Sequence, residues 1–153
     1  MIKIEKDQKL YIDGFTMIDT GAYTTIANNN AYGYLVSQIT TGESYNKIAD
    51  GTGGYVQKTV GTYTTTASSI DAFGTVLVNT TIGKSQKLDI DGLTMIDTGA
   101  YTTIANNNAY GYLISQITTG ESYNKRADGT GGYVQKTVGT YTTTASSIDA
   151  FGT

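Results

Sequence analysis

Two aspartates are candidates for chemistry because each follows an apolar segment and precedes a Thr-Gly pair. The segment 16–26 reads TMIDTGAYTTI and recurs unchanged at 94–104, so Asp19 and Asp97 have identical sequence surroundings. The chain contains no Cys and no His, which excludes thiol and imidazole nucleophiles and zinc–thiolate sites. Carboxylates are therefore the natural acid–base groups of this chain.

Charge and composition exclude several kinds of partner. The 153 residues carry 10 Lys+Arg against 13 Asp+Glu, a net charge of −3, and we expect no nucleic-acid partner. No window approaches the roughly 18 apolar residues of a membrane span, and charges interrupt the first seven residues, so we expect no membrane partner and no signal peptide. These features leave the localisation open, and the motifs suggest no cofactor.

The chain is a tandem duplication. An offset of 78 aligns residues 8–75 with 86–153, and 64 of the 68 positions are identical. The differences are Tyr11/Asp89, Phe15/Leu93, Val36/Ile114 and Ile48/Arg126. Identity this high implies a very recent duplication or deliberate engineering.

The duplication divides the chain into a first repeat at 1–78 and a second at 79–153. At the same offset residues 1–7 lie over 79–85, with Ile4 over Ile82 and Lys6 over Lys84. We expect strand 1–7 to complete the second repeat as 79–85 completes the first, closing a pseudo-twofold. One unit of this size is marginal alone, which favours two units with a shared interface.

The hydrophobic pattern predicts an all-β fold. No stretch has sustained helical periodicity, whereas residues 9–12 and 15–18 alternate around an Asp-Gly pair and predict a hairpin. Further strands are predicted at 34–39, 45–49, 55–60, 62–67 and 75–78, with Asn28, Asn29 and Asn30 in a loop.

Two common ligand motifs are incomplete, so no metal site is expected. Gly83-Lys84-Ser85 lacks the earlier glycine of a phosphate-binding loop, since position 78 is Val. The segment 89–92 (DIDG) resembles the start of a calcium loop but lacks a third carboxylate at the right spacing, and a hairpin turn explains it better.

The Asp-Thr-Gly-Ala segments resemble the active-site signature of the retroviral-type aspartic peptidases, the retropepsins. Three more segments occur in the order found in that family: 49–56 (ADGTGGYV) is similar to its glycine-rich flap, 72–78 (AFGTVLV) to a following strand, and 82–84 (IGK) to its apolar-Gly-Arg element. The resemblance covers most of each repeat. It implies two near-identical β-rich lobes forming a pseudo-twofold closed barrel or sandwich.

The same resemblance implies an aspartic endopeptidase that cleaves extended polypeptides, as a monomeric pseudo-dimer or a homodimer. Asp19 and Asp97 would share one proton and activate a water molecule. The resemblance assigns a supporting turn to Thr20, Gly21, Ala22, Thr98, Gly99 and Ala100. It assigns the flaps to Asp50, Gly51, Thr52, Gly53, Gly54, Asp128, Gly129, Thr130, Gly131 and Gly132. It also implies that Ile82 and Gly83 pack on the catalytic turn.

A different class of function remains open. Recent duplication and richness in Thr, Asn, Gly and Tyr are also typical of non-catalytic β-repeats in phage fibres, adhesins and filaments, or of an engineered inactive scaffold. A glycan-binding module with exposed tyrosines is a third possibility. Carboxylate geometry distinguishes them, because a peptidase requires Asp19 and Asp97 within hydrogen-bonding distance, or each paired with a symmetry mate in a dimer.

Overall fold

The computed structural model describes residues 1–10, 14–146 and 148–149 and confirms the all-β prediction. Eight strands form one antiparallel sheet in sequence order. Within these residues no helix is long or apolar enough to cross a membrane. The strands are β1 (Ile2–Leu10), β2 (Met17–Asn29), β3 (Leu35–Ala49), β4 (Tyr55–Ile70), β5 (Val76–Leu88), β6 (Met95–Asn107), β7 (Leu113–Ala127) and β8 (Tyr133–Ala145).

Five of the described turns, those that begin at Asn30, Asp50, Asp71, Asn108 and Asp128, are built from one recurring design. In the β2–β3 turn the Asn30 side chain accepts hydrogen bonds from the backbone N–H of Tyr32 (2.9 Å) and Tyr34 (3.0 Å), while Gly33 takes a φ of 87°. A glycine is suited to this position because a Cβ penalises positive φ. Asp71 and Gly74 have the same roles in the β4–β5 turn.

The strands reveal a shorter repeat inside the duplication. The pattern Gly-x-Tyr-Thr-Thr-x-Ala occurs at 21–27, 61–67, 99–105 and 139–145, once in each even-numbered strand. The odd-numbered strands β3, β5 and β7 carry Gly-x-Ser at 42–44, 83–85 and 120–122. The structural unit is therefore one hairpin of about 39 residues, and each of the two predicted repeats contains two such units.

A β-bulge interrupts every even-numbered strand at the residue before the glycine of this pattern. Asp7 pairs with Gly21 and Gln8 with Asp19, which leaves Thr20 without a partner in the ladder. The ladder skips the corresponding residues of β4, β6 and β8, which are Val60, Thr98 and Val138. One extra residue per strand at the same height forms a band of bulges across the sheet.

Tyrosine and glycine alternate along one row of neighbouring strands. The register joins Tyr23, Gly42, Tyr63, Gly83, Tyr101, Gly120 and Tyr141. A Cβ at any of the three glycines would overlap the ring of the tyrosine on the next strand. The rings of Tyr63, Tyr101 and Tyr141 therefore cover the backbone of the glycine on the preceding strand. This cross-strand contact offsets the absence of a side chain on each glycine.

In the described part of the chain the sheet is a single open layer without an enclosed core. Among the described residues the most buried apolar side chains are Ile18 and Ala27, both 9% exposed. The accessible surface is 10006 Å², whereas a compact monomer of this mass exposes about 7,500 Å². Stability therefore depends on contacts between neighbouring strands rather than on a packed interior.

Several details of the sequence prediction need correction. The predicted segments 34–39 and 45–49 belong to one strand, β3, and 55–60 and 62–67 to another, β4. Asn28 and Asn29 end β2, and only Asn30 lies in the turn. Strand pairing overrides local polarity here because Thr and Asn side chains are tolerated on a sheet with two solvated faces.

The arrangement of the repeats also differs from the prediction. Two lobes closed into a barrel or sandwich are not confirmed, since all eight strands follow one another in a single open sheet. Residues 1–7 do not complete the second repeat within the chain; they pair with β2 in the register in which 79–85 pair with β6. The strand therefore belongs beside the first repeat. Residues 11–13 of the predicted first hairpin lie outside the described residues.

Candidate functional site

Asp19 lies on β2 opposite Gln8 of β1 and is held by two donors. The Gln8 amide donates to one carboxylate oxygen at 2.8 Å, and the Lys6 ammonium lies 3.2 Å from the other. The Gln8 hydrogen bond, followed by that of Lys6, lowers the pKa of Asp19. The side chain is 27% exposed, so the carboxylate is ionised and partly solvated.

Asp97 repeats this arrangement on β6. Gln86 donates at 2.8 Å and Lys84 at 3.2 Å. The Gln86 hydrogen bond is the main cause that lowers the pKa of Asp97. The two aspartates therefore have the same partners, each within its own repeat.

The structure does not bring Asp19 and Asp97 together within the chain. They lie on β2 and β6, with β3, β4 and β5 between them. Four strand spacings of about 4.8 Å separate them by roughly 19 Å. A shared proton requires two carboxyl groups at about 3 Å, so these two cannot form a dyad in one chain with this fold.

The Asp-Thr-Gly motif forms the β-bulge described above. Thr20 and Thr98 are the bulged residues, and Thr98 donates to the Ser85 hydroxyl at 3.1 Å. The same bulge occurs in β4 and β8, where the sequence reads Thr-Val-Gly at 59–61 and 137–139. The bulge therefore requires neither the aspartate nor the threonine of the motif.

The glycines of the motif are explained by a close approach of the neighbouring strand. A Cβ on Gly21 would lie 3.0 Å from the carbonyl oxygen of Glu43, and one on Gly99 would lie 2.9 Å from that of Glu121. Ala22 and Ala100 follow in the regular ladder. No substrate is needed to account for these small residues.

The predicted flaps are hairpin turns. Asp50 accepts hydrogen bonds from the backbone N–H of Thr52 (2.8 Å) and Gly54 (3.0 Å), and its own N–H donates to the Gly54 carbonyl at 3.0 Å. Asp128 holds Thr130 and Gly132 in the same way. Gly51, Gly53, Gly129 and Gly131 have φ between 79° and 92°. This is the Asn/Asp turn design used elsewhere in the sheet, and it joins adjacent strands end to end.

Ile82 and Gly83 lie on β5, beside the second Asp-Thr-Gly segment, as part of the open sheet. β5 pairs with β6, with Ser85 opposite Gly99 and Gln86 opposite Asp97. The Tyr101 ring covers Gly83, and Ile82 is 57% exposed. The contact is ordinary strand pairing.

Two shallow grooves lie on the sheet surface, and neither is lined by Asp19 or Asp97. A groove of about 370 Å³ is lined by Ala100, Thr102, Thr119, Glu121, Tyr123 and Thr140, among others. The first repeat has its equivalent around Ala22, Glu43 and Tyr45. The Glu43 carboxylate accepts a 2.9 Å hydrogen bond from the Tyr45 hydroxyl, which raises the pKa of Tyr45. These grooves offer a hydroxyl-rich surface with one carboxylate.

Metal ligation has no support in the part of the chain that is described. No group of three or more Asp, Glu, His or Cys side chains converges there. The Asp89–Asp91 segment is a turn in which Asp91 accepts from the Leu93 and Thr94 backbone N–H groups, both at 2.9 Å. Asp89 forms an ion pair with Lys125.

The feature that sequence reasoning missed is the four-fold pattern of the even-numbered strands. The signal was present, since Gly-x-Tyr-Thr-Thr-x-Ala recurs at spacings of 40, 38 and 40 residues. The near-identity at 78 residues concealed this weaker period. This four-fold pattern aligns the two Asp-Thr-Gly segments with two segments that lack the aspartate.

Comparison with protein-family models, with curated proteins and with solved structures gives no match for this chain.

Proposed function

We propose that this chain is a non-catalytic structural β-repeat, a module of extended sheet of the kind found in fibres, adhesins or filaments. One observation carries the proposal: the Asp-Thr-Gly segments form a bulge that four strands share and that two of them build without an aspartate. A feature repeated for backbone geometry needs no catalytic explanation. Hairpin units that contact only their neighbours are typical of repeat proteins.

The electrostatics of the aspartates support the same proposal. A general acid near neutral pH needs a raised pKa, whereas Asp19 and Asp97 have lowered pKa values and bind a cation and an amide. Their role is to link neighbouring strands. Exposed ion pairs of this kind contribute little to stability because solvent screens them.

An activity assay tests the proposal directly. An unfolded protein substrate is incubated with the wild-type chain and with Asp19→Asn and Asp97→Asn between about pH 3 and 7, beside a known aspartic peptidase as positive control. We expect no cleavage above background from any of the three chains. Circular dichroism on the same samples verifies that each is folded under the assay conditions.

The retropepsin-like alternative predicts the opposite result. Cleavage with an acid optimum that both substitutions abolish would overturn the structural proposal. It would require a dyad formed between aspartates of two chains, since one chain keeps them on β2 and β6.

A further inference from the structure

The two edge strands of the described sheet have unpaired backbone groups. In β1 the outward groups follow from its contacts with β2: Met1 and Ala27 exchange two backbone hydrogen bonds, of 2.9 and 2.6 Å. Because hydrogen-bonding direction alternates along a strand, the odd-numbered residues of β1 bond to β2. The even-numbered residues Ile2, Ile4 and Lys6 direct their N–H and C=O groups away from the sheet.

The outer edge of β8 has the same sequence as an edge that is occupied inside the molecule. Residues 133–153 are identical to 55–75, and β8 pairs with β7 in the register in which β4 pairs with β3. β4 carries β5 on its other side, with Thr62, Thr64 and Thr66 opposite Lys84, Ile82 and Thr80. In β8 the corresponding residues Thr140, Thr142 and Thr144 have no such neighbour among the described residues.

The free edge of β1 corresponds to the edge by which β5 binds β4. β1 meets β2 as β5 meets β6, with Lys6 opposite Ala22 and Lys84 opposite Ala100. Three even positions agree, since Ile4, Lys6 and Gln8 match Ile82, Lys84 and Gln86, whereas Ile2 stands where β5 has Thr80. The outward N–H and C=O groups of β1 therefore have the same spacing as the groups by which β5 bonds to β4. A strand that added to the outer edge of β8 would need this spacing.

We propose that β1 of one copy of this chain adds to β8 of another, head to tail, and rebuilds the β4–β5 junction between molecules. The inference rests on the proposed function as an extended β-repeat. The register follows from the internal junction by the offset of 78: Gly139 opposite Asp7, Tyr141 opposite Glu5, Thr142 opposite Ile4 and Thr144 opposite Ile2. The added strand is antiparallel to β8.

The charges of β1 are compatible with this register. Lys3, Glu5 and Asp7 replace Thr81, Gly83 and Ser85 of β5. Their partners on β8 would be Thr143, Tyr141 and Gly139, so no like charges face each other. Lys3 and Glu5 also form an ion pair along β1. Charged edge strands pair poorly with most sheets, which restricts β1 to an uncharged, complementary edge such as β8.

Because the two edges differ, the contact is heterologous and leaves a free β1 and a free β8 after each addition. Such contacts propagate into open assemblies unless the rotation closes a ring. Each copy contributes eight strands, which advances the assembly by roughly 38 Å at the usual strand spacing.

Two proline variants test the proposal. Thr142→Pro removes an outward N–H of β8, and Ile4→Pro removes one of β1; proline is tolerated where the N–H of an edge strand faces solvent. By analytical ultracentrifugation we expect the average mass of the wild type to at least double with rising concentration, while each variant alone stays monomeric. A mixture of the two variants should give a one-to-one heterodimer and nothing larger, since each supplies the edge that the other has lost.

Other outcomes overturn the inference. A wild type that stays monomeric up to millimolar concentration excludes the contact, and variants that associate like the wild type indicate stacking of sheet faces instead. Homodimers of a single variant indicate pairing of like edges. If the proline variants fail to fold, amide exchange of Thr140, Thr142 and Thr144 in the unmodified chain replaces them, because the contact requires their protection to rise with concentration. Failure of the proposed function is seen separately, as aspartate-dependent cleavage.

Discussion

The individual aspartates of this chain act as acceptors that fix local geometry. Gln8 and Lys6 hold Asp19, Gln86 and Lys84 hold Asp97, and turn backbone N–H groups surround Asp50 and Asp128. Hydrogen bonds to an ionised carboxylate stabilise the charged form. All four therefore have lowered pKa values. Sequence alone gives Asp19 and Asp50 different roles, whereas the structure gives them similar chemistry.

Carboxyl titration distinguishes these acceptors from a shared-proton dyad. We expect Asp19 and Asp97 to titrate independently, each below 3.8, as measured by ¹³C NMR of their carboxyl carbons. A dyad would instead show two coupled steps, one of them raised. Asp91 serves as an internal reference, because the Thr94 hydroxyl and the Thr94 and Leu93 backbone N–H groups lower its pKa to about 2.

The same pKa directions fix the sign of the pH dependence of stability. A carboxyl whose pKa is lower in the folded state binds fewer protons when folded, so its stabilising contribution is complete above pH about 4 and is lost as the pH falls through the folded pKa. The midpoint of denaturant unfolding should therefore be flat from pH 7 to 5 and fall between about pH 4 and 2. A maximum on the acid side would contradict this expectation.

At the scale of the strand, the bulge and its glycine determine how neighbours fit. Gly99 and Gly139 occupy the same position after the bulge in β6 and β8, and neither has a positive φ. In the described sheet only Gly99 also has a neighbouring strand on its other side, β7, which carries Glu121. The requirement for glycine at this position therefore comes from the neighbouring strand rather than from backbone conformation.

Alanine substitution at these two glycines separates the effect of a neighbouring strand from the effect of backbone conformation. A Cβ at position 99 would lie 2.9 Å from the Glu121 carbonyl oxygen, whereas at position 139 the nearest neighbouring atom, the Ser122 Cβ, would be 4.0 Å away. We expect Gly99→Ala to lower the free energy of unfolding by about 1–3 kcal/mol. Gly139→Ala should change it by less than about 0.5 kcal/mol or raise it slightly, since alanine restricts the unfolded chain. Equal losses in chemical denaturation would refute the close approach.

At the scale of the whole molecule, the described residues form a sheet with two faces, two edges and no enclosed core. Ile26, Ile39, Ile104 and Ile117 lie in register on one face and are 38–40% exposed. Threonine pairs such as Thr25–Thr40 and Thr65–Thr81 link neighbouring strands through hydroxyl hydrogen bonds of 2.8 Å. Such a molecule is stabilised strand by strand, so its edges are the least stable parts.

Amide hydrogen exchange compares a central strand with an edge strand of the same sequence. Thr62, Thr64 and Thr66 of β4 bond to β5, whereas Thr140, Thr142 and Thr144 of β8 face outward. In dilute solution we expect the second set to exchange at least roughly a hundredfold faster than the first, because an unpaired amide needs no opening to exchange. Similar rates in the two sets would show that β8 is not an edge.

The sequence by itself determined the all-β class and the duplication, because alternation and β-branched residues act locally, but it divided β3 and β4 into two strands each. It identified Asp19 and Asp97 as ionisable groups in equivalent surroundings but not their separation, which depends on strand order in the sheet. Only the tertiary structure decided that the hairpins follow one another in a single open layer. The physical reason is that local patterns specify a strand and its faces, whereas the strands that become neighbours, and the edges left free, follow from pairing along the whole chain.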